Sequence, residues 1–413
     1  MMIIINELKK IWNIKNLAIT TLLCVLGNFI FMHIWINIYP KGTWEYDVDI
    51  AHYLTENYGA VLDPDEFRDF MNFRSTIIDD LNLYVESSSL FSGSGIYNFD
   101  DYEAQRNKYS ARYDALNEDE RNLYYSIIGE WGIEIYSSYI NNNEGGYIKS
   151  GKETPLAFNK YNSFNNAAGM YESQWLKNIN SFIEQSQAGE KELKRLKEIR
   201  DSGEMLSIIS QMAVYHTWKY AQGLSSLTAL SVLILVSFLI TNDRACKVNL
   251  LQYTSKQGRS MLKKQFAAVM ISAVFITTIL ALIFGGIFSL NETFAFWNNN
   301  INSFLSYPYH WLSITYGQYC FLLIAVIYLL SAGAAAFAFL LSRFSGSMIR
   351  LLLKITPFFI AACMLSYWLT EEFLGIHTGG NITLKILTLL FFPAAGIIAA
   401  AFAIRREKKV EMI

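Results

Sequence analysis

Apolar residues along this chain gather into six blocks of roughly membrane-spanning length, at 17–38, 224–240, 267–290, 315–341, 351–369 and 382–403. A bilayer core about 30 Å thick takes roughly 20 apolar residues as helix, so each block predicts one transmembrane span. A shorter pattern precedes them. Ile4, Leu8, Ile11 and Trp12 fall on one helical face, with Asn6, Lys9, Lys10 and Asn13 opposite. That predicts an amphipathic helix suited to lie in the interface. Between the first two blocks, 40–220 is too long for a structureless loop and large enough to bury a core of its own. The pattern as a whole predicts an all-α membrane protein with six spans and a large, mostly helical insert between spans one and two. Its parts are 1–39 (amphipathic helix and first span), 40–220 (insert) and 221–413 (five spans, with a loop at 241–265).

Composition sharpens this picture. Of 413 residues, 52% are hydrophobic and only 17% charged, where soluble domains spend about a quarter on charge. Disorder, collagen-like repeats and small disulfide scaffolds are excluded. None of the four cysteines, Cys24, Cys246, Cys320 and Cys363, falls in the insert, so no disulfide framework is available there. Lys9, Lys10 and Lys15 precede the first block, but its apolar run is too long for a signal core and no small-x-small site follows. It reads as a retained anchor.

The net charge of −2 hides a strong asymmetry. The insert carries 17 basic and 29 acidic residues, a formal charge of −12. Sixteen basic residues lie at the N-terminus, in the loop after span two, in the turn after span four and in the tail, all on one side if the spans alternate. The opposing short loops, 291–313 and 370–381, contain neither Lys nor Arg. Basic loops stay cytoplasmic, so both termini are expected inside a multi-pass cell-membrane protein, with the insert extracytoplasmic.

Inside the spans the absence of charge is informative. Apart from Lys354 and Lys385 near span ends, where a long side chain can snorkel, the six blocks hold no Asp, Glu, Lys or Arg. Carriers driven by their own ion gradient use ionisable groups at membrane depth, so such a carrier is disfavoured. Asn28, His33 and Gln318 read as helix-contact or interface residues. Ala332 with Ala336, and Gly396 with Ala400, have the spacing that lets helices approach closely. Pro393 is expected to kink the last span.

In the insert, Asp63-Pro64-Asp65-Glu66 reads as a cap with proline at the first helical position, leading into Phe67, Phe70, Met71, Ile77, Ile78 and Leu81. Asn117 to Glu120 reads as a second cap, and 141–146 as an interruption. Residues 190–201 predict a charged helix with Leu193, Leu196 and Ile199 on one face and Glu190–Lys194 and Lys197–Asp201 pairs. Acidic pairs such as Asp47/Asp49, Asp79/Asp80 and Asp100/Asp101 fit no EF-hand frame. His52 and His216 have no zinc-like spacing, and no G-x-S-x-G elbow occurs. No catalytic residue and no metal ligand is assigned, and nothing points to nucleic acid.

The loop 241–265 carries the most specific signal. It runs from Asp243-Arg244 to Leu250-Leu251, then Thr254-Ser255-Lys256-Gln257-Gly258-Arg259, then Lys263-Lys264. A basic loop follows from orientation alone, but a leucine patch ending in a Gly-Arg turn does not. With the N-terminal amphipathic helix, six spans and large first insert, this loop resembles the ABC-2 type transporter permeases of Gram-positive bacteria. That family usually has a glutamate and a Gly-Thr step before the leucines, where this chain has Asp243-Arg244.

The resemblance implies a coupling element that docks on a separate ATP-binding subunit. It assigns this role to Asp243, Arg244, Leu250, Leu251, Thr254, Ser255, Gly258 and Arg259. It further implies no catalysis and no cofactor of the chain's own, ATP being bound by the partner, which fits the lack of a G-x-x-x-x-G-K-[ST] loop. A second permease subunit, identical or related, completes the path through the bilayer. Export of antimicrobial peptides, drugs or lipids, or in one branch sodium, is implied.

Two other readings compete. In one, the chain is a membrane sensor or immunity protein whose external domain binds a ligand and signals through a partner. In the other, Glu371-Glu372 with His377 forms an intramembrane protease motif. That motif needs Arg where Ile376 stands, and its residues fall in a loop.

Overall fold

The helix signals are realised in a computed structural model that describes residues 2–37, 45–87, 96–101, 104, 117–118, 164–185, 189–245, 261–306, 309–345, 347–371, 373–376 and 382–410. In chain order the principal helices are α1 (Met2–Ile11), α2 (Ile14–Phe31), α3 (Glu45–Tyr58), α4 (Pro64–Ser87), α5 (Trp175–Gln185), α6 (Glu190–Asp201), α7 (Gln211–Ala245), α8 (Met261–Phe288), α9 (Tyr316–Arg343), α10 (Met348–Thr370) and α11 (Ile382–Val410). Among the described residues there is no strand, only three isolated bridges. Six stretches are long and apolar enough to cross a membrane: Ile14–Phe31, Gln211–Ser237, Met261–Asn291, Tyr316–Arg343, Ile349–Thr370 and Ile382–Arg406. The described residues are all-helical apart from turns and bridges, and the chain fits a multi-pass membrane protein.

The chain divides into two compact units. The first comprises residues 1–42, 211–302 and 306–413, the second 43–210 with 303–305. In the first unit α7 is the central helix. Of its membrane-length stretch 83% is buried, against 11% for α2 and 22% for α10 and α11. That centrality accounts for a boundary the apolar pattern misses. The expected span at 224–240 begins thirteen residues earlier, and His216, expected in the insert, lies buried in α7. Its first turns carry Tyr215, Thr217, Lys219 and Gln222, polar groups that lower the hydropathy yet find partners in the surrounding helices. Thr217 Oγ1 lies 2.6 Å from Tyr316 Oη, and Gln222 Nε2 donates to the Tyr367 carbonyl.

Close packing follows the small residues. A Cβ built on Gly396 would meet the Ala336 Cβ at 2.8 Å, so the predicted small-residue contact joins α9 and α11. Gly333 goes further, since a Cβ there would fall 2.3 Å from the Phe392 ring. Pro357 and Pro393 lie inside the unbroken α10 and α11. Lys385 departs from expectation. Instead of snorkelling it is fully buried, its ammonium donating to the Glu371 carbonyl at the end of α10 at 2.6 Å. Lys354 remains exposed and donates to the Phe344 carbonyl at 2.7 Å, closing the end of α9.

In the second unit the Asp63 carboxylate accepts the Asp65 and Glu66 amides while Glu66 reaches back to the Asp63 amide. This reciprocal cap supports α4 by about 1 kcal/mol. Phe70, Ile77, Leu81 and Val85 form its buried face, with Phe70 stacked on Phe164 at 4.1 Å. Helix α6 has the predicted bounds, with Leu196 and Ile199 buried. Lys194 approaches Glu198 at 3.9 Å, and Asp201 pairs with the adjacent Arg200 guanidinium, with the charge of the expected partner Lys197 acting on it as well. The stronger contact is non-helical. Arg195 forks onto both oxygens of Glu204, at 2.9 and 2.8 Å, in the turn that follows, the planar bidentate geometry suited to a carboxylate. The Asn117 cap extends beyond the described residues after Glu118, and the 141–146 interruption lies outside them.

Candidate functional site

Helix α1 places Ile4, Glu7, Leu8 and Ile11 on one face, by the i, i+3, i+4, i+7 rule. A glutamate therefore occupies a position that pattern reserves for an apolar residue. Ile11 and Glu7 are both buried. An isolated buried carboxylate is costly, and this one is fully engaged. Lys10, three residues on, donates to Glu7 Oε1 at 2.8 Å. Gln265, in the second turn of α8, donates to Glu7 Oε2 at 3.1 Å.

The same two donors hold Asp243, in the last turn of α7. Lys10 Nζ reaches its Oδ1 and Oδ2 at 3.2 and 3.3 Å, and Gln265 Nε2 reaches Oδ2 at 3.0 Å. Two buried carboxylates thus share one ammonium and one amide, and each of the four carboxylate oxygens accepts a hydrogen bond. Partial burial opposes the charge on Lys10, but its bond to Glu7 and the Asp243 charge outweigh this and raise its pKa above the ordinary 10.5.

Neighbouring contacts fix the geometry of this latch. Trp12 donates from Nε1 to Ser272 Oγ at 3.0 Å, and its ring meets Phe275 edge-on at 5.1 Å. Asn13 caps α2 by accepting the Lys15 and Asn16 amides, and donates from its own side chain to the Lys10 carbonyl. Asn16 donates to the Ile11 carbonyl. The break between α1 and α2 is therefore stapled on both sides, and α1 is held along α8.

Of the eight residues the resemblance singles out, Asp243 is the one whose side chain is described, and it is buried in the latch. Arg244 is placed by its backbone in the last turn of α7. Leu250, Leu251, Thr254, Ser255, Gly258 and Arg259 lie outside the described residues. Asp243 and Gln265 bracket that segment, one on each flank, and α1 joins the flanks. Sequence reasoning passed over Glu7 and Gln265. The readable signal was a carboxylate between Ile4, Leu8 and Ile11, which calls for a buried partner; which partner it has depends on tertiary contact.

The remaining singled-out residues have local roles. Gln318 forms a reciprocal cap with Thr315 at the start of α9. His33 sits just past the end of α2, its ring 5.3 Å from Phe29. Glu371 caps α10 and accepts the Tyr367 hydroxyl at 3.0 Å, while Glu372 and His377 lie outside the described residues. Buried hydroxyl pairs, not ion pairs, join the span interiors: Thr277 with Ser331, and Thr217 with Tyr316, which also donates to Thr293. Among known proteins, no family model, curated protein or solved structure matches this chain.

Proposed function

We propose that this chain is the membrane-spanning permease subunit of an ABC-2 type exporter, driven by a separate ATP-binding subunit and paired with a second permease subunit. The cargo class is peptides, drugs or lipids. Both termini and the 241–265 coupling segment face the cytoplasm, and the insert lies outside. The observation that carries the reading is the Glu7–Lys10–Asp243–Gln265 latch. A loop pushed by an external motor transmits force only if its flanks are mechanically joined to something that moves with them. Here both flanks are tied by charge-assisted bonds to α1, and α1 is stapled to the first span. Conformational coupling of this kind needs a contiguous, packed element with discrete positions.

The test is purification of the tagged chain from its native host in mild detergent. The expected result is a stoichiometric ATP-binding-cassette subunit that is lost when Leu250, Leu251 and Arg259 are replaced. In that complex, replacing Gly258 and Arg259 uncouples ATP hydrolysis from transport while insertion is unchanged. Absence of any ATPase, under conditions that preserve a known transporter complex, overturns the reading in favour of a membrane sensor that signals through another partner.

A further inference from the structure

Between α8 and α9 the chain makes two short turns, Ser289–Asn291 and Thr293–Phe296, hinged at Glu292. Glu292 is the one non-glycine with positive φ, at 58°, among the described residues. The hinge sorts the side chains by face. Thr293 and Phe296 turn inward and are buried, while Leu290 (73% exposed), Phe294 (36%) and Trp297 (39%) turn outward. The outward strip is firmly seated. The Trp297 ring covers Gly317, where a Cβ would fall 2.6 Å from it, and packs edge-on against Phe294 and Phe321, each at 5.7 Å. Phe321 belongs to the exposed flank of α9, and Leu282 and Ile283 continue the strip along α8.

A second observation sets its depth. Asn291 donates from Nδ2 to the Trp35 carbonyl at 3.0 Å. Trp35 meets Tyr215 edge-on, Tyr215 meets Trp218, and the Lys219 ammonium sits 4.2 Å over the Trp218 ring and 5.2 Å over Tyr367. Tryptophan, tyrosine and lysine favour the headgroup level, and this cluster, with Trp35 and Tyr215 half-buried and Trp218 buried, lies at the start of α7 and the end of α10. Residues 290–297 are tied to that level, and 291–313 contain no Lys or Arg.

We infer that residues 290–297 form an interfacial wedge, with Leu290, Phe294 and Trp297 inserted among phospholipids at the headgroup–acyl boundary. The occupant is lipid, because the strip continues the exposed apolar flanks of α8 and α9 and is tied to the Trp35–Tyr215–Trp218–Lys219 cluster at the helix ends, while the one charge in it, Glu292, sits at the exposed hinge. The short connection after α8 is then a membrane-bound element and not an aqueous loop, whatever the chain transports.

The experiment places p-benzoylphenylalanine at 290, 294 or 297, and at the exposed polar controls 298 and 313, in the full chain. Each variant is reconstituted in nanodiscs of phosphatidylethanolamine and phosphatidylglycerol, irradiated and analysed by mass spectrometry. The expected result is lipid adducts at 290, 294 and 297, several-fold above those at 298 and 313. Equal adduct yields at all positions, cross-links to protein at the three outward positions, or no adduct there would each overturn the wedge. Leu290 is 73% exposed, so the probe displaces little packing there, whereas at 294 and 297 it replaces packed rings; a monodisperse elution profile is therefore required of each variant.

Discussion

Gln265 does more for the latch than its neutral side chain suggests. Its amide donates to one oxygen of Glu7 and one of Asp243, so removing it strands Glu7 Oε2 and leaves Asp243 Oδ2 with only the 3.3 Å bond from Lys10. A stranded buried polar group costs about 1–3 kcal/mol, and more when it is charged. Gln265→Leu keeps the volume and removes the donors. It is expected to lower stability in detergent by at least that range for one oxygen, read as the shift in a thermal or denaturant melt. Lys10→Met is expected to cost less than full burial would imply, because the Lys10 side chain is 41% exposed and water screens the pair. A Gln265→Leu melt that coincides with wild type would show that the latch holds nothing. None of these partnerships could be read from the residues alone. Glu7 announces itself by sitting among Ile4, Leu8 and Ile11, but Asp243 and Gln265 are 236 and 258 positions away, and an amide on a span's first turns looks like ordinary interface polarity.

The helices themselves were far more legible than their contacts. Six apolar blocks became six candidate spans, since length and hydropathy alone decide whether a segment can cross a bilayer. The Asp63 cap and the bounds of α6 were equally local. What failed was the start of α7, where burial among neighbouring helices tolerates residues that a hydropathy reading assigns to solvent. Small-residue spacing pointed correctly to Ala336 and Gly396, but not to Gly333, whose role depends on Phe392 lying across it. That contact gives a prediction at this scale. Gly333→Ala drives a methyl into the Phe392 ring, and overpacking of this kind costs about 1–3 kcal/mol. Adding Phe392→Leu frees the space, so the double variant is expected to recover part of the loss in the same melt. A Gly333→Ala variant as stable as wild type would mean that α9 and α11 pack loosely there.

For the whole molecule the question is which end of the bundle faces the cytoplasm, and two independent lines bear on it. Sixteen basic residues fall at the N-terminus, at the α7–α8 and α9–α10 connections and in the tail, while the α8–α9 and α10–α11 connections carry none within 291–313 and 370–381. The contacts group the same connections. Lys10 joins the end of α7 and Gln265 the start of α8 in one latch. Away from it, the Trp311 amide donates to the Leu374 carbonyl and the Ile376 amide to the Tyr309 carbonyl, so the two connections without basic residues meet each other. Loops that meet share one side of the bilayer, and the charge rule predicts that this side is external. Alkaline phosphatase fused after residue 313 is therefore expected to be active, and a fusion after residue 413 inactive, while a fluorescent protein at 413 should light up. The result reaches beyond topology. The coupling role proposed for 241–265 requires ATP on that side, so an active phosphatase at 413 would place the latch on the wrong side of the membrane and remove the permease reading along with the orientation.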